Sequence, residues 1–216
     1  MKCDKSVMLL YAVTDRAWVG KQTLAQQVES ALAGGITCLQ LREKELDEES
    51  FLKEAREIQA LCRRYQVPFI VNDNVEVAIQ CGADGIHVGQ SDMKAGNVRS
   101  AVGDGMILGV SVHNVEEALE AEKQGADYLG VGAVFPTDTK KDASYVSYDT
   151  MKAICDAVSI PVTAIGGIGK ENLLNLQGSG ADGVALVSAI FSASDIEAEC
   201  RTLKKLAEQM VGISER

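Results

Sequence analysis

Short, nearly continuous apolar runs alternate along the chain with longer segments whose apolar residues recur at helical spacing. The runs cover residues 8–13, 36–41, 68–71, 85–88, 107–112, 128–135, 161–165 and 183–187. They are rich in β-branched residues and do not alternate with polar ones, the pattern of parallel strands covered on both faces. Between them, Phe51, Leu52, Ala55, Ile58 and Cys62 form a helical stripe behind the acidic start Asp47-Glu48-Glu49, where carboxylates suit a helix N-terminus. Stripes at Val115, Ala118, Leu119 and at Ile196, Cys200, Leu203, Leu206, Met210 repeat the pattern.

A weak internal repeat sharpens it. Gly82-Ala83-Asp84, Gly125-Ala126-Asp127 and Gly180-Ala181-Asp182 each sit between a helical stripe and the next run, with Gly34-Gly35-Ile36 as a degenerate fourth copy. The glycine can end a helix in the left-handed conformation. From Gly34 the copies are 48, 43 and 55 residues apart, about the length of two βα units. One copy per second strand predicts eight strands. Strict βα alternation then predicts an α/β chain folded as a single (β/α)8 TIM barrel, one domain over residues 1–216. An open doubly wound sheet is the alternative.

Composition narrows the partners. A chain of 216 residues with 46% hydrophobic and 24% charged residues is globular, and a formal net charge of −10 disfavours nucleic acid or an anionic membrane. Small-molecule substrates are the expected partners, and a homo-oligomer is compatible with everything in the sequence. No run approaches membrane-spanning length, and the N-terminal run is followed by Thr14-Asp15-Arg16 with no small-residue cleavage site. A cytoplasmic location follows as an expectation. The six scattered cysteines, with no CxxC pair, are expected to be reduced and mostly buried, Cys38 included.

In a barrel, function gathers where the strands end. The second run ends in Gln40-Leu41-Arg42-Glu43-Lys44, the third in Asn72-Asp73, and the fourth in Gly89-Gln90-Ser91-Asp92. The fifth ends in Ser111-Val112-His113, the sixth in Pro136-Thr137-Asp138-Thr139-Lys140-Lys141, the seventh in Gly166-Gly167, and the eighth in Val187-Ser188. Three subsites emerge. Gly166-Gly167 with Val187-Ser188 suits a phosphate held by backbone N–H groups, or else a plain tight turn. Arg42, Lys44 and Lys140 suit a diphosphate, or else are solvated surface charges; Arg42 and Lys44 share a face with Gln40 by the period of two. Asp73 and Asp92 suit Mg²⁺, or else a turn and a helix cap. His87 reads as a hydrogen-bonded core histidine, and Asp15 and Arg16 as a salt-bridged pair.

Together these segments resemble one family. Tyr11-Ala12-Val13-Thr14-Asp15-Arg16, Gln40-Leu41-Arg42-Glu43-Lys44, Asn72-Asp73, the run from Gly82 to Asp92, the run from Gly130 to Lys140, and Ala164-Ile165-Gly166-Gly167-Ile168 are similar, in order, to thiamine-phosphate synthases. The resemblance implies a transferase joining a hydroxymethylpyrimidine diphosphate to a hydroxyethylthiazole phosphate. It implies that Gln40, Leu41, Arg42, Glu43, Lys44, Asn72, Ser111 and Lys140 hold the pyrimidine diphosphate, with Arg42, Lys44, Ser111 and Lys140 catalytic. Thr137, Asp138, Thr139, Gly167, Val187 and Ser188 would hold the thiazole phosphate. Asp73 and Asp92 would bind one Mg²⁺ per subunit. A related barrel that aromatises the thiazole by proton transfer would need neither the diphosphate cations nor the metal carboxylates. A sensor that had lost turnover would be expected to lack one of them.

Overall fold

In the computed structural model, which describes residues 3–20, 22–89, 95–137 and 145–213, eight parallel strands close into a barrel in sequence order. They are β1 (Leu10–Val13), β2 (Cys38–Leu41), β3 (Phe69–Asn72), β4 (Gly85–Val88), β5 (Ile107–Val112), β6 (Tyr128–Val131), β7 (Val162–Ile165) and β8 (Gly183–Leu186). Every expected run contains a strand. Closure is made by Tyr11 lying opposite both Cys38 and Ala185. The expected sixth strand ran on to Phe135 but stops at Val131. A side chain at Gly132 would stand 1.9 Å from the Ile165 carbonyl oxygen, so the chain crosses close over the end of β7, where the Val134 and Phe135 N–H groups donate to the Ile165 and Gly166 carbonyls at 3.0 and 3.1 Å.

Six helices fill the first six connections: α1 (Leu24–Ala33), α2 (Glu48–Tyr65), α3 (Val75–Cys81), α4 (Ala95–Val102), α5 (Val115–Lys123) and α6 (Tyr148–Ala157). The seventh departs from strict alternation. It is a 3-10 turn, Leu173–Leu176, in a short segment holding Asn172, Asn175 and Gly178, with Leu173 and Leu176 buried. After β8 come the one-turn α7 (Ser188–Phe191) and the long α8 (Ile196–Met210). The α2 stripe packs as expected, its N-cap being Asp47, whose carboxylate accepts from the Ser50 N–H. In α5 the stripe is narrower than expected, since Ala118 is buried but Leu119 is 47% exposed. Among the described residues no helix is long and apolar enough to cross a membrane.

The repeat has a mechanical role. Asp84, just before β4, accepts the Phe69 N–H at 2.9 Å and donates its own N–H to the Phe69 carbonyl, so it pins the start of β3. Asp127 does the same to Leu108 of β5, and Asp182 to Val162 of β7. In the degenerate copy Thr37 takes the aspartate's place: its hydroxyl accepts the Leu10 N–H at 2.8 Å, and its own N–H donates to the Leu10 carbonyl. Each copy therefore ties an even strand to the odd strand before it. Gly35, Gly82, Gly125 and Gly180 have φ of 89°, 66°, 91° and 89°, the left-handed turn that brings the chain back under the sheet.

Two cores result. One lies between sheet and helices; burying each large aliphatic side chain there contributes about 1.5–3 kcal/mol. The other lies inside the barrel, with Met8, Tyr11, Cys38, Ile70, Ile107 and Tyr128 among its members. Met8 ends a 3-10 turn (Lys5–Met8) that plugs the bottom, where Lys5 pairs with Asp182 at 2.8 Å. All six thiols are free, and burial pushes that of Cys38 well above its usual value. Asp84→Ala leaves the buried Phe69 N–H without its acceptor, and urea unfolding is expected to show a loss of about 1–3 kcal/mol.

Candidate active site

A cavity of about 200 Å³ opens at the C-terminal ends of the strands. Its room comes from small residues: Gly130 and Ala185 line it, and Thr163 and Ile165 face it from β7. Helix N-termini ring the same end, capped by Thr23, Asp47, Asn74, Asn114, Ser147 and Asp195. Their dipoles give an acidic protein a locally favourable place for an anion.

The charges after β2 sort by parity. Gln40, Arg42 and Lys44 line the cavity, although the strand itself ends at Leu41. Leu41 lies in the outer core, fully buried. Glu43 turns away and binds Arg16, whose Nε donates at 2.7 Å. Leu41 and Glu43, expected among the ligand-holding positions, do not line the cavity: their side chains point away from it. Arg16 also binds Glu54, so the expected Asp15–Arg16 pair does not form. Asp15 instead accepts from the Ala17 N–H at 2.9 Å and pairs with Arg42 at 3.1 Å. Neighbours in sequence diverge because Asp15 caps a 3-10 turn that carries Arg16 outward.

Glu43 is the anchor of this loop. Its other oxygen accepts the Glu45 and Leu46 N–H groups at 2.6 and 3.1 Å. Burial works against its charge, but Arg16 and the two N–H groups outweigh it and hold the carboxyl below its ordinary range. Thr14, fully buried, completes the clamp by accepting the Arg42 N–H at 3.0 Å.

Opposite, Asn72 and Asp73 line the cavity from the end of β3. Asp73 has φ 62°, and its carboxylate pairs with Lys44. The cap of α3 is made by Asn74, so Asp73 is not used for capping. Ser111 lines the cavity from β5, beside His113, which binds Glu117 at 3.0 Å. Gly167, Val187, Ser188 and Thr137 line the other side. At Gly166 and Gly167 only glycine fits: φ is 97° and 66°, and added side chains would lie 2.5 Å from the Ala133 Cβ and 2.3 Å from the Pro136 carbonyl oxygen.

Asp92, Asp138, Thr139 and Lys140 lie outside the described residues. Among the described residues no three His, Cys, Asp or Glu side chains come together as a metal cage. Sequence reasoning missed the floor. Thr163 is 1% exposed, and its hydroxyl has no hydrogen-bond partner among the described residues. Tyr11 and Tyr128 meet there hydroxyl to hydroxyl, with His87 against Tyr128. Inward parity on β1, β6 and β7 was the available signal, but it names candidates without saying which of them touch.

A family profile described as thiamine monophosphate synthase matches residues 10–190. Thiamine-phosphate synthase of Ruminiclostridium cellulolyticum is 48% identical over 197 residues, covering 91% of this chain and 94% of that protein. The same-named protein of Chloroflexus aurantiacus is 46% identical over 198 residues, covering 91% of each. The structure of thiamine phosphate pyrophosphorylase from Pyrococcus furiosus superposes with a TM-score of 0.89 at 38% identity, covering 96% of this chain and 99% of that one.

Glu43 stabilises the fold only while it is ionised, and its carboxyl titrates below the ordinary 4.5. Its contribution is thus complete above that pH and lost as pH falls through the lowered value. Glu43→Gln should be less stable than wild type near about pH 7, with the gap in urea midpoint closing on acidification; a gap independent of pH would count against the anchor.

Proposed function

The chain belongs to the thiamine-phosphate synthase family, transferases that form thiamine phosphate with release of diphosphate, and from that premise we propose its substrates and the role of each subsite. The donor is a 4-amino-5-hydroxymethylpyrimidine diphosphate, and the acceptor a hydroxyethylthiazole phosphate. One observation carries the reading: Gln40, Arg42, Lys44, Asn72, Asp73 and Ser111 face Gly167, Val187 and Ser188 across a single cavity. Cationic and polar side chains suited to a diphosphate, with one carboxylate suited to a metal, thus stand opposite glycine backbone and Ser188 suited to a phosphate.

Arg42 and Lys44, with Lys140, hold the diphosphate and neutralise the charge that grows on it as the bond to the pyrimidine methylene carbon breaks. The electron-rich ring stabilises the cation left behind, and the thiazole nitrogen traps it. No protein nucleophile is required. The chain's work is alignment: Gln40 and Asn72 hold the pyrimidine, while Gly167, Val187, Ser188 and the loop of Thr137, Asp138 and Thr139 hold the thiazole phosphate. The buried, unpartnered hydroxyl of Thr163 on the floor favours an occupant with polar atoms.

The donor set fits Mg²⁺, a hard cation that takes one or two protein carboxylates and fills its shell with phosphate oxygens and water. Asp73 presents a carboxylate at the rim, held until then by Lys44, and Asp92 is assigned as its companion. When bound, the ion would supply positive charge beside the leaving diphosphate.

Mixing the protein with both substrates is expected to give equimolar diphosphate and thiamine phosphate, lost on chelation and restored by Mg²⁺. Asp73→Ala and Lys140→Ala should each lower kcat/KM by about a hundredfold or more with an unchanged circular dichroism spectrum. Full turnover after exhaustive chelation would remove the metal from the reading.

A further inference from the structure

Thr163 lies deep in the barrel and lines the cavity at 1% exposure, yet its Oγ1 has no hydrogen-bond partner among the described residues. Burial penalises a hydroxyl left in that state. The other polar groups of the floor are joined to one another. Gln40 Nε2 donates to the Tyr11 hydroxyl at 2.7 Å, Tyr11 meets Tyr128, Tyr128 meets His87, and His87 meets Ser111. The lining residues around Thr163 on β6, β7 and β8 are Gly130, Ile165 and Ala185, none of which carries a side-chain donor or acceptor. A partner for the Thr163 hydroxyl therefore comes from what fills the cavity.

Register indicates which part of an occupant reaches it. Thr163 pairs with Gly130 of β6, and Gly130 pairs with Ser111 of β5, so a hydroxyl stands on each side of a residue that has no side chain. Two strand spacings set the flanking backbones about 9–10 Å apart. A side chain at Gly130 would stand 3.1 Å from His87 Cε1, so a larger residue would close this slot against the His87 ring. Thr163 precedes Ile165, the last residue of β7, by two positions and Gly167 by four, so Ile165 intervenes between it and the phosphate cradle. Arg42 and Lys44 follow Gln40 by two and four positions, toward the mouth. A pyrimidine whose 5-methylene diphosphate is held by those cations points the opposite end of its ring, N1–C2–N3, down into the slot.

We propose that Thr163 is a specificity-determining residue for the pyrimidine substrate, its hydroxyl donating to a ring nitrogen on the edge away from Ser111. The inference rests on the pyrimidine diphosphate proposed above. A neutral ring nitrogen only accepts, and a threonine hydroxyl has one hydrogen to give. Pairing the two relieves the penalty on the buried hydroxyl, so the contact discriminates between a ring that offers an acceptor there and one that does not. Valine at this position keeps the branched shape and removes the hydroxyl, whereas serine keeps the hydroxyl and removes the methyl group.

The test is calorimetric binding, with Mg²⁺ present, of the pyrimidine diphosphate, inorganic diphosphate and the thiazole phosphate to wild type, Thr163→Val and Thr163→Ser. Thr163→Val should bind the pyrimidine diphosphate about tenfold more weakly, with the other two ligands within about twofold of wild type. Its urea midpoint should be no lower than that of wild type, because an unpaired buried hydroxyl has been replaced by a methyl group. Thr163→Ser should bind all three ligands within about threefold of wild type. A hydroxyl that serves only an ordered water would leave all three affinities unchanged in Thr163→Val, and one that serves only packing would weaken all three alike; either result overturns the inference while leaving the proposed function standing. An equal loss in the valine and serine variants overturns it too, since the methyl group would then carry the effect. Wild type that binds the pyrimidine diphosphate no better than inorganic diphosphate overturns the proposed function, and the inference with it.

Discussion

Closing a sheet on itself sends half of every strand's side chains into a space that no helix can cover and little water can reach. That space must be filled, or its polar groups must be paired. Here the lower part is filled by Met8, Cys38, Ile70 and Ile107. Higher up the sequence turns small, with Gly109, Gly130 and Ala185, and the Tyr128 ring leans into the room that Gly109 leaves. The cavity begins where this filling stops. The floor of the site is thus a consequence of barrel packing, and its hydrogen bonds are the condition on which polar groups are tolerated there.

The rim obeys a different constraint. Cations intended for an anionic ligand must be kept in place in its absence without collapsing onto the surface. Arg42 is held by Asp15 and through its backbone by Thr14, and Lys44 is held by Asp73. These are partly exposed pairs, each worth about 1 kcal/mol or less, so a multiply charged ligand can displace them at small cost. Glu43 is different: its side chain is buried, bonded to Arg16 and to two backbone N–H groups, and it fixes the loop whichever ligand is present. The packed charges after β2 are therefore two sets interleaved by the period of two, one facing a ligand and one facing the scaffold.

Much of this was legible. Continuous apolar runs and a repeat on every second strand are properties of local sequence, and they give strand number, order and the end at which function gathers. The repeat's aspartates could be placed but not explained, because their partners are N–H groups about two dozen residues or fewer away on another strand; nor could Thr37 be recognised as the aspartate's counterpart in the degenerate fourth copy, since a hydroxyl does the work of a carboxylate there. The Asp15–Arg16 pairing failed for the complementary reason. Adjacency in sequence means little once a 3-10 turn sends neighbouring side chains in opposite directions. The Gln40–Tyr11–Tyr128–His87–Ser111 chain required the register of five strands at once, which no single run contains.

For an acidic protein, the two phosphorylated substrates proposed above present an apparent conflict between net charge and ligand charge. The conflict is one of distance. A formal net charge of −10 is spread over the whole surface, and beyond a Debye length of about 8 Å it is screened at physiological salt. What a ligand meets in the cavity is local: two cations from one loop, Ser188 after β8 and the glycine backbone after β7. Arg42 and Lys44 stand on one side of that cavity and Gly167 on the other, so two phosphorylated ligands can be held apart at their anionic ends while their rings meet over the same floor. The separation of charge across the mouth, rather than its total, is what makes two-substrate alignment compatible with this composition.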